Sequence, residues 1–211
     1  MSGRPLISWT ISAAKRSGAF DHVVVSTDDE EIAETAERAG AWVPFVRPDE
    51  LSGDHAGTLP VIAHAIDELK ARGIDFEAAC CIYPAALAVG PREIVAAKLL
   101  LADHPAATFV TTVTKYPAPV QEALQMERDG ALRFVTPGEL RPRTQDYSPR
   151  WYDAGQLYWG TNVAWLSADS MLDGCIGYEL PTWRVQDIDT EEDWERAEII
   201  HKIIQEREER T

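Results

Sequence analysis

Apolar positions in this chain follow two spacings that take turns, and the turn-taking predicts the fold. From Pro5 to Ser17, Leu6, Ile7, Trp9, Ile11, Ala13 and Ala14 suit a mostly buried helix, with the proline near its first turn and Gly18 as its stop. Val23-Val24-Val25 is a continuous β-branched run and predicts a buried parallel strand. Ser26 to Asp29 ends that strand and caps a helix over Glu30 to Ala39, which stops at Gly40. Trp42 to Val46 is the next strand. Thr58 to Arg72 is a third helix, with Val61, Ile62, Ala65, Ile66 and Leu69 on one face. A strand over Ala78 to Tyr83 ends at Pro84, a helix over Pro91 to Asp103 turns Ile94, Ala97 and Leu101 inward, and a strand covers Thr108 to Thr114. Strands and helices alternating through short links predict an α/β fold. Its expected core is a doubly wound, mostly parallel, Rossmann-like nucleotide-binding sheet.

The rhythm changes at Tyr116. From there to Asp153 the chain is proline-rich, has no long helical pattern, and carries an Asp129-Gly130 turn flanked by Ala123 to Met126 and Leu132 to Phe134. This stretch, residues 116–153, predicts a β-rich excursion, serving either as a flap beside the site or as a dimer contact. The sheet is expected to resume over Gly160 to Leu166. The chain closes with a helix from Glu191 to about Glu206, its inner stripe being Trp194, Ala197, Ile200 and Ile204.

Bulk properties narrow the function. A length of 211 residues suits a single domain with such an excursion. The net charge of −15 argues against nucleic acid and against anionic membranes as partners, since both need a basic footprint. It leaves room for an anionic nucleotide at a locally basic or metal-neutralised site. No apolar run approaches the roughly 18 residues of a membrane span, and no secretory leader pattern opens the chain. Cys80 and Cys81 sit together in an apolar run and no Cys/His spacing suggests zinc, so the reducing cytoplasm is the expected compartment.

The chain lacks GxGxxG, GxxxxGK[ST], GxSxG and HExxH, which lowers the case for a dinucleotide dehydrogenase, a P-loop NTPase, an α/β hydrolase or a zinc protease. Three stretches carry possible chemistry. Val25-Ser26-Thr27-Asp28-Asp29 lies at the carboxyl end of a strand, where open α/β sheets bind ligands, yet the same residues suit a helix cap. Arg141, Arg143 and Arg150 cluster in an acidic protein, either as an anion-binding patch or as a solvated loop balancing Glu139, Asp146 and Asp153. If Val185 to Ile188 is a strand, Asp187 and Asp189 face the same way about 7 Å apart and can hold a hard divalent cation. Asp189 or Thr190 also suits the N-cap of the last helix, Thr190 with Asp193 resembling a capping box, and the two roles are compatible.

Read together, VVVSTDDEEIAETAERAGAWVPFVRPDELSGDHAGT, then RTQD, YDAGQLYWG and QDIDTEEDW, resemble the sialic-acid-type cytidylyltransferases. Asp153 to Trp159 is most similar to the pseudaminic acid branch, where the N-acetylneuraminate enzymes more often carry Asn-Gly. The resemblance covers almost the whole chain. It implies transfer of CMP from CTP to a nine-carbon (nonulosonic) 2-keto sugar acid, with Mg²⁺ as cofactor and a homodimer built through the excursion. It places Arg47, Thr58 and Asp28 at the nucleotide, and Tyr83, Gln145, Gln156 and Tyr158 at the sugar acid. Arg143 falls on the substrate carboxylate, and Asp187 with Asp189 on the metal; Arg143 and Asp189 are the residues closest to the chemistry. Related readings of the same family are an N-acetylneuraminate or legionaminate synthetase and a catalytically dead homologue acting as a binding subunit.

Two departures accompany the resemblance. The family's opening strand and phosphate-holding loop have no counterpart before Gly3-Arg4-Pro5, a gap of roughly 20–25 residues. Tyr83-Pro84-Ala85-Ala86-Leu87 also replaces the family's small-polar stretch. Loss of a central strand exposes unpaired edges, so the expectation is an obligate homodimer with a shallow groove beside Val23–Val25 and weak CTP affinity.

Overall fold

A computed structural model describes residues 1–53, 55–136 and 143–208. Its helices fall close to where the apolar spacing puts them. α1 (Leu6–Ser17) buries Ser8, Thr10, Ile11 and Ala14 and ends on Gly18, whose φ of 63° is left-handed and costs a glycine little. α2 (Glu30–Arg38) is capped by Asp29, whose Oδ1 accepts from Ile32 N at 2.8 Å. α3 (Thr58–Ala71) buries Ile66 and Leu69, and α4 (Pro91–Asp103) buries Ile94 and Ala97.

The strands differ more. β1 (Ala78–Ile82), β2 (Phe109–Lys115), β5 (Trp151–Thr161) and β6 (Ile176–Glu179) form one sheet in the order β1-β5-β2-β6, and β3 (Leu124–Met126) pairs β4 (Leu132–Phe134) separately. β5 runs antiparallel to both β1 and β2, while β2 and β6 are parallel. The sheet is therefore mixed, not mostly parallel. The cause is the route of the chain. It leaves the sheet after Lys115 and returns at Trp151, directly opposite Lys115, and Tyr116 N donates to Arg150 O at 3.0 Å. β2 and β5 are thus the arms of one long hairpin whose loop is the excursion. A hairpin closes an antiparallel pair and needs no crossover helix.

Three other expectations change. Gly160 to Leu166 is not a strand: β5 ends at Thr161, whose Oγ1 accepts from Ala164 N, and α5 (Asn162–Ser167) turns Ala164 and Trp165 into the core. Val185–Ile188 belongs to no strand among the described residues, the last of which is β6. Val23–Val25 is half-buried and lies outside the four-stranded sheet. It bridges Trp42 in parallel, with Val25 N donating to Trp42 O and Trp42 N to Val23 O, and Thr27 bridges Val46. In α6 (Glu191–Glu208) the buried stripe is Ala197, His201 and Ile204, while Trp194 stays exposed.

Apolar groups cover both faces of the sheet. On one, Leu157, Trp159 and Val110 meet Ala14 of α1 and Ile94 and Ala97 of α4. On the other, Tyr158, Phe109 and Cys81 meet Ile66 of α3 and Ala164 and Trp165 of α5. Successive residues of β5 alternate faces, which puts Tyr158 opposite its neighbours Leu157 and Trp159. Both buried indoles are satisfied: Trp159 Nε1 donates to Ile94 O at 3.1 Å and Trp165 Nε1 to Ala79 O at 3.0 Å.

Candidate active site

β1 delivers Tyr83 at its end, and the ladder continues one step past the strand, with Tyr83 N donating to Gln156 O at 3.0 Å. Facing it, β5 departs from regular pairing with β2. Thr111 pairs Tyr158 and Val113 pairs Asp153, so Ala154, Gly155, Gln156 and Leu157 stand opposite Thr112 alone. Buried Thr112 holds the bulge by its hydroxyl, which accepts from Leu157 N at 3.0 Å and donates to Leu157 O at 3.3 Å. Gly155 takes a φ of +60°, open to glycine at little cost. Bulges of this kind re-aim side chains beside sites.

The bulge brings Asp153 to Tyr158, whose ring stands beside Tyr83. Asp153 Oδ1 accepts from Gly155 N at 2.9 Å and Oδ2 accepts from the Tyr158 hydroxyl at 2.6 Å. The Tyr158 and Tyr83 rings meet at 5.5 Å between centroids, and the Tyr83 hydroxyl lies 2.6 Å from Thr58 Oγ1 in the first turn of α3. Burial, and next the Asp153 carboxylate, hold the Tyr158 phenol protonated far above its usual range. Burial likewise raises Tyr83, partly offset by its bond to Thr58. Tyr158 and Gln156 are each 2% exposed, whereas Tyr83 and Thr58 are half-buried, so a ligand arriving here meets Thr58 and Tyr83 first. Gln156 Oε1 accepts from Ala88 N at 3.3 Å and so ties β5 to the loop after β1.

Asp28 and Arg47 lie at the ends of the small parallel pair and bind each other at 3.1 Å. The Arg47 guanidinium holds the Asp28 carboxyl below the usual carboxylate range. Arg47 Nε is buried with no partner among the described residues.

At the start of α6 the cap belongs to Thr190 and Asp193. Asp193 Oδ2 accepts from Thr190 N and from Thr190 Oγ1, which in turn accepts from Asp193 N. That leaves Asp187 and Asp189 outside the cap, both exposed, with Asp187 Oδ1 accepting from Ile188 N. Two carboxylates suit a hard cation that takes its remaining ligands from water and phosphate, and no group of three or more acidic, His or Cys side chains gathers for a metal among the described residues. Arg143 and Gln145, at a 3-10 turn (Thr144–Asp146), are exposed and joined to Tyr83 or Tyr158 by no bond among the described residues. Arg141 lies outside the described residues. From the sequence, Asp153 has no place in the site, only that of a counter-charge to the arginine cluster and of the head of Asp-Ala-Gly-Gln-Leu-Tyr. The cysteines offer no nucleophile in the sheet, since burial pushes the Cys81 thiol up to about 12.

Residues 1–121 match the cytidylyltransferase family. Over 202 residues the chain is 35% identical to the pseudaminic acid cytidylyltransferase of Campylobacter jejuni subsp. jejuni serotype O:2, covering 95% of this chain and 87% of the relative. The chain belongs to the cytidylyltransferase family. It is also 33% identical over 199 residues to N-acylneuraminate cytidylyltransferase B of Danio rerio, covering 94% of this chain and 45% of that longer relative. Among solved structures, CMP:2-keto-3-deoxy-manno-octonic acid synthetase complexed with CTP superposes with a TM-score of 0.64 at 14% identity, over 97% of this chain and 89% of the other. 4-Diphosphocytidyl-2C-methyl-D-erythritol synthase of Anaerococcus prevotii gives 0.60 at 13% identity, over 96% and 90%. At such identities these two structures speak for the cytidylyltransferase fold, an α/β arrangement around a mixed sheet.

Proposed function

We propose that this cytidylyltransferase transfers CMP from CTP to a nonulosonic sugar acid of the pseudaminic type. The observation that carries the reading is the 35% identity to a pseudaminic acid cytidylyltransferase along 95% of the chain. In the reaction the anomeric hydroxyl oxygen of the sugar acid bonds to the α-phosphorus of CTP, the bond from that phosphorus to the bridging oxygen breaks, pyrophosphate leaves, and the hydroxyl proton is lost. Such a transfer depends on alignment and on stabilising charge rather than on covalent help from the protein.

In this reading Arg47, with Asp28 aligning it, and Thr58 bind the nucleotide. Tyr83, backed by Tyr158 and Gln156, meets the sugar acid, and Gln145 bonds it from the excursion. Arg143 pairs with its carboxylate, for which a guanidinium fork is suited. Asp187 and Asp189 hold Mg²⁺, which when bound neutralises phosphate charge and favours the in-line approach. The chain forms a homodimer through the excursion, supported by the exposed apolar face of the β3–β4 hairpin, and works in the cytoplasm, supported by three cysteines that are all free. No helix among the described residues is long and apolar enough to cross a membrane.

The experiment is to supply CTP, Mg²⁺ and either pseudaminic acid or N-acetylneuraminic acid and to follow CMP-sugar and pyrophosphate. Faster turnover of pseudaminic acid is expected. Turnover of N-acetylneuraminic acid alone moves the chain to the neuraminate branch, and binding without turnover makes it a binding homologue. Asp189→Ala is expected to abolish metal-dependent activity, and unchanged activity removes Asp189 from the site.

A further inference from the structure

α1 and α4 pack on the face of the sheet away from Tyr83 and Tyr158. There, together with α6, they enclose a cavity of about 150 Å³, far above the roughly 10–15 Å³ that one water needs. Its polar wall is cationic. Arg4 and Arg16 come from α1 and the turn before it, His201 and Gln205 stand four residues apart on α6, and Gly90 is the N-cap of the 13-residue α4. No aspartate or glutamate among the described residues lines the cavity, in a chain whose net charge is −15. Glu93, in the first turn of α4, is engaged elsewhere: its carboxylate accepts from Gly90 N at 2.9 Å and from Arg184 Nη1 at 2.8 Å.

Trp9 sets two of the basic groups in place. The Arg4 guanidinium lies 4.4 Å from the centre of the Trp9 ring, and the His201 ring meets the same indole edge-on at 4.4 Å. Trp9 Nε1 donates to Met1 O at 3.1 Å, which anchors the indole. Arg4 and Arg16 are exposed, whereas His201 is 2% exposed and its Nε2 is buried without a partner among the described residues. A buried polar atom without a partner costs free energy. Burial, and next the amino terminus, push the His201 pKa below its ordinary value; the second of these causes is one that an anion offsets.

We propose that this cavity is a binding site for a phosphate-type oxyanion, separate from the candidate active site. The forks of Arg4 and Arg16 suit phosphate oxygens. His201 Nε2 donates to such an oxygen both as the neutral Nε2–H tautomer and as the imidazolium, and the Gln205 amide adds a neutral donor. The positive end of α4 favours the same charge. Inorganic phosphate carries this chemistry, and so does the pyrophosphate that nucleotidyl transfer releases.

The test is calorimetric titration of the full chain with inorganic phosphate at constant ionic strength, with chloride as the control. Saturable binding of one phosphate per chain is expected. Arg4→Gln and Arg16→Gln are each expected to weaken it roughly tenfold or more, the scale of a lost charge-assisted hydrogen bond. His201→Phe keeps a ring against Trp9 and removes the donor, so a similar loss is expected with the melting temperature near wild type. Arg16 is exposed, so its variant reads the site even where the buried His201 variant does not fold. Pyrophosphate in place of phosphate separates the two sources. Tighter binding assigns the reaction product, equal or weaker binding assigns free phosphate, and either is lost in Arg16→Gln. Saturating CTP is expected to leave the phosphate affinity unchanged. No saturable phosphate binding, or folded variants that bind phosphate as wild type, overturn the inference. Displacement of phosphate by CTP also overturns it, because the cavity then belongs to the nucleotide site. If CTP does not bind while phosphate still does, the nucleotide reading fails and the cavity stands.

Discussion

The four-stranded sheet and the β3–β4 hairpin are built from similar strand-forming residues and end in opposite environments. In the sheet, Phe109, Val110, Leu157, Tyr158 and Trp159 are at most 2% exposed, covered by α1 and α4 on one face and by α3 and α5 on the other. In the hairpin, Leu124 pairs Phe134 and Met126 pairs Leu132, so all four side chains share one face, and they are 49%, 43%, 69% and 55% exposed. A two-stranded ribbon cannot bury such a face by itself, and contiguous exposed apolar surface of this kind marks an interaction site. Both faces of the sheet are covered by helices of the same chain, while the apolar face of the hairpin is open.

The contrast breaks first in the core if it is wrong. Trp159→Ala removes a stacked partner of Phe20 at 5.1 Å and a bonded indole, and a loss of about 3–5 kcal/mol is expected in urea unfolding. Next, a Cβ on Gly160 would stand 2.5 Å from the Phe109 ring and 2.9 Å from Trp165 Nε1. Gly160→Ala is expected to cost about 1–3 kcal/mol through overpacking, and a neutral result would mean the sheet is looser than its burial implies.

The hairpin predicts the reverse balance. Met126→Asp with Leu132→Asp should change the unfolding free energy of the subunit by less than about 0.5 kcal/mol while sedimentation shifts from dimer to monomer. A loss comparable to Trp159→Ala would place the hairpin in the core of its own chain, and an unshifted dimer would move the interface elsewhere.

The smallest effect tests whether the parallel pair around Val23–Val25 belongs with the core or with the periphery. The Asp28 carboxyl is lowered in the folded state, chiefly by Arg47, from an ordinary value of 3.8. A lowered folded pKa stabilises above the unfolded value, and that contribution disappears as pH falls through 3.8 and below. Arg47→Ala should therefore lessen the loss of stability between pH 5 and pH 3 only slightly, the Asp28 carboxylate being exposed to solvent. A large change would show the pair to be buried and structural.

Particular residues show how far a one-dimensional reading reaches. Helices were legible because apolar spacing, Pro91, Gly18 and Asp29 act within a turn or two. Motif order was legible too, and it led to the cytidylyltransferase family before any contact was visible. The strand assigned to Gly160–Leu166 failed because a buried short helix and a buried strand both read as continuous apolar runs. α5 is set by the Thr161 cap and by the packing of Trp165 on Phe109. Of the candidate site, the juxtaposition of Asp28 with Arg47 and of Thr58 with Tyr83 joins residues that the sequence reading also singled out, whereas the Asp153–Tyr158 bond was hidden because it depends on a bulge.

By itself, then, the sequence determined the helices, the apolar content of the strands, the hairpin around Asp129-Gly130 and the family. Those follow from local conformational preference and from residues read in order. Tertiary structure decided the direction of β5, the four-against-one bulge opposite Thr112, and the meeting of Asp153 with Tyr158. Each depends on pairing between segments far apart in the chain, Lys115 with Trp151 first among them, and the free energy of such pairing lies in the contact between strands rather than in either strand alone.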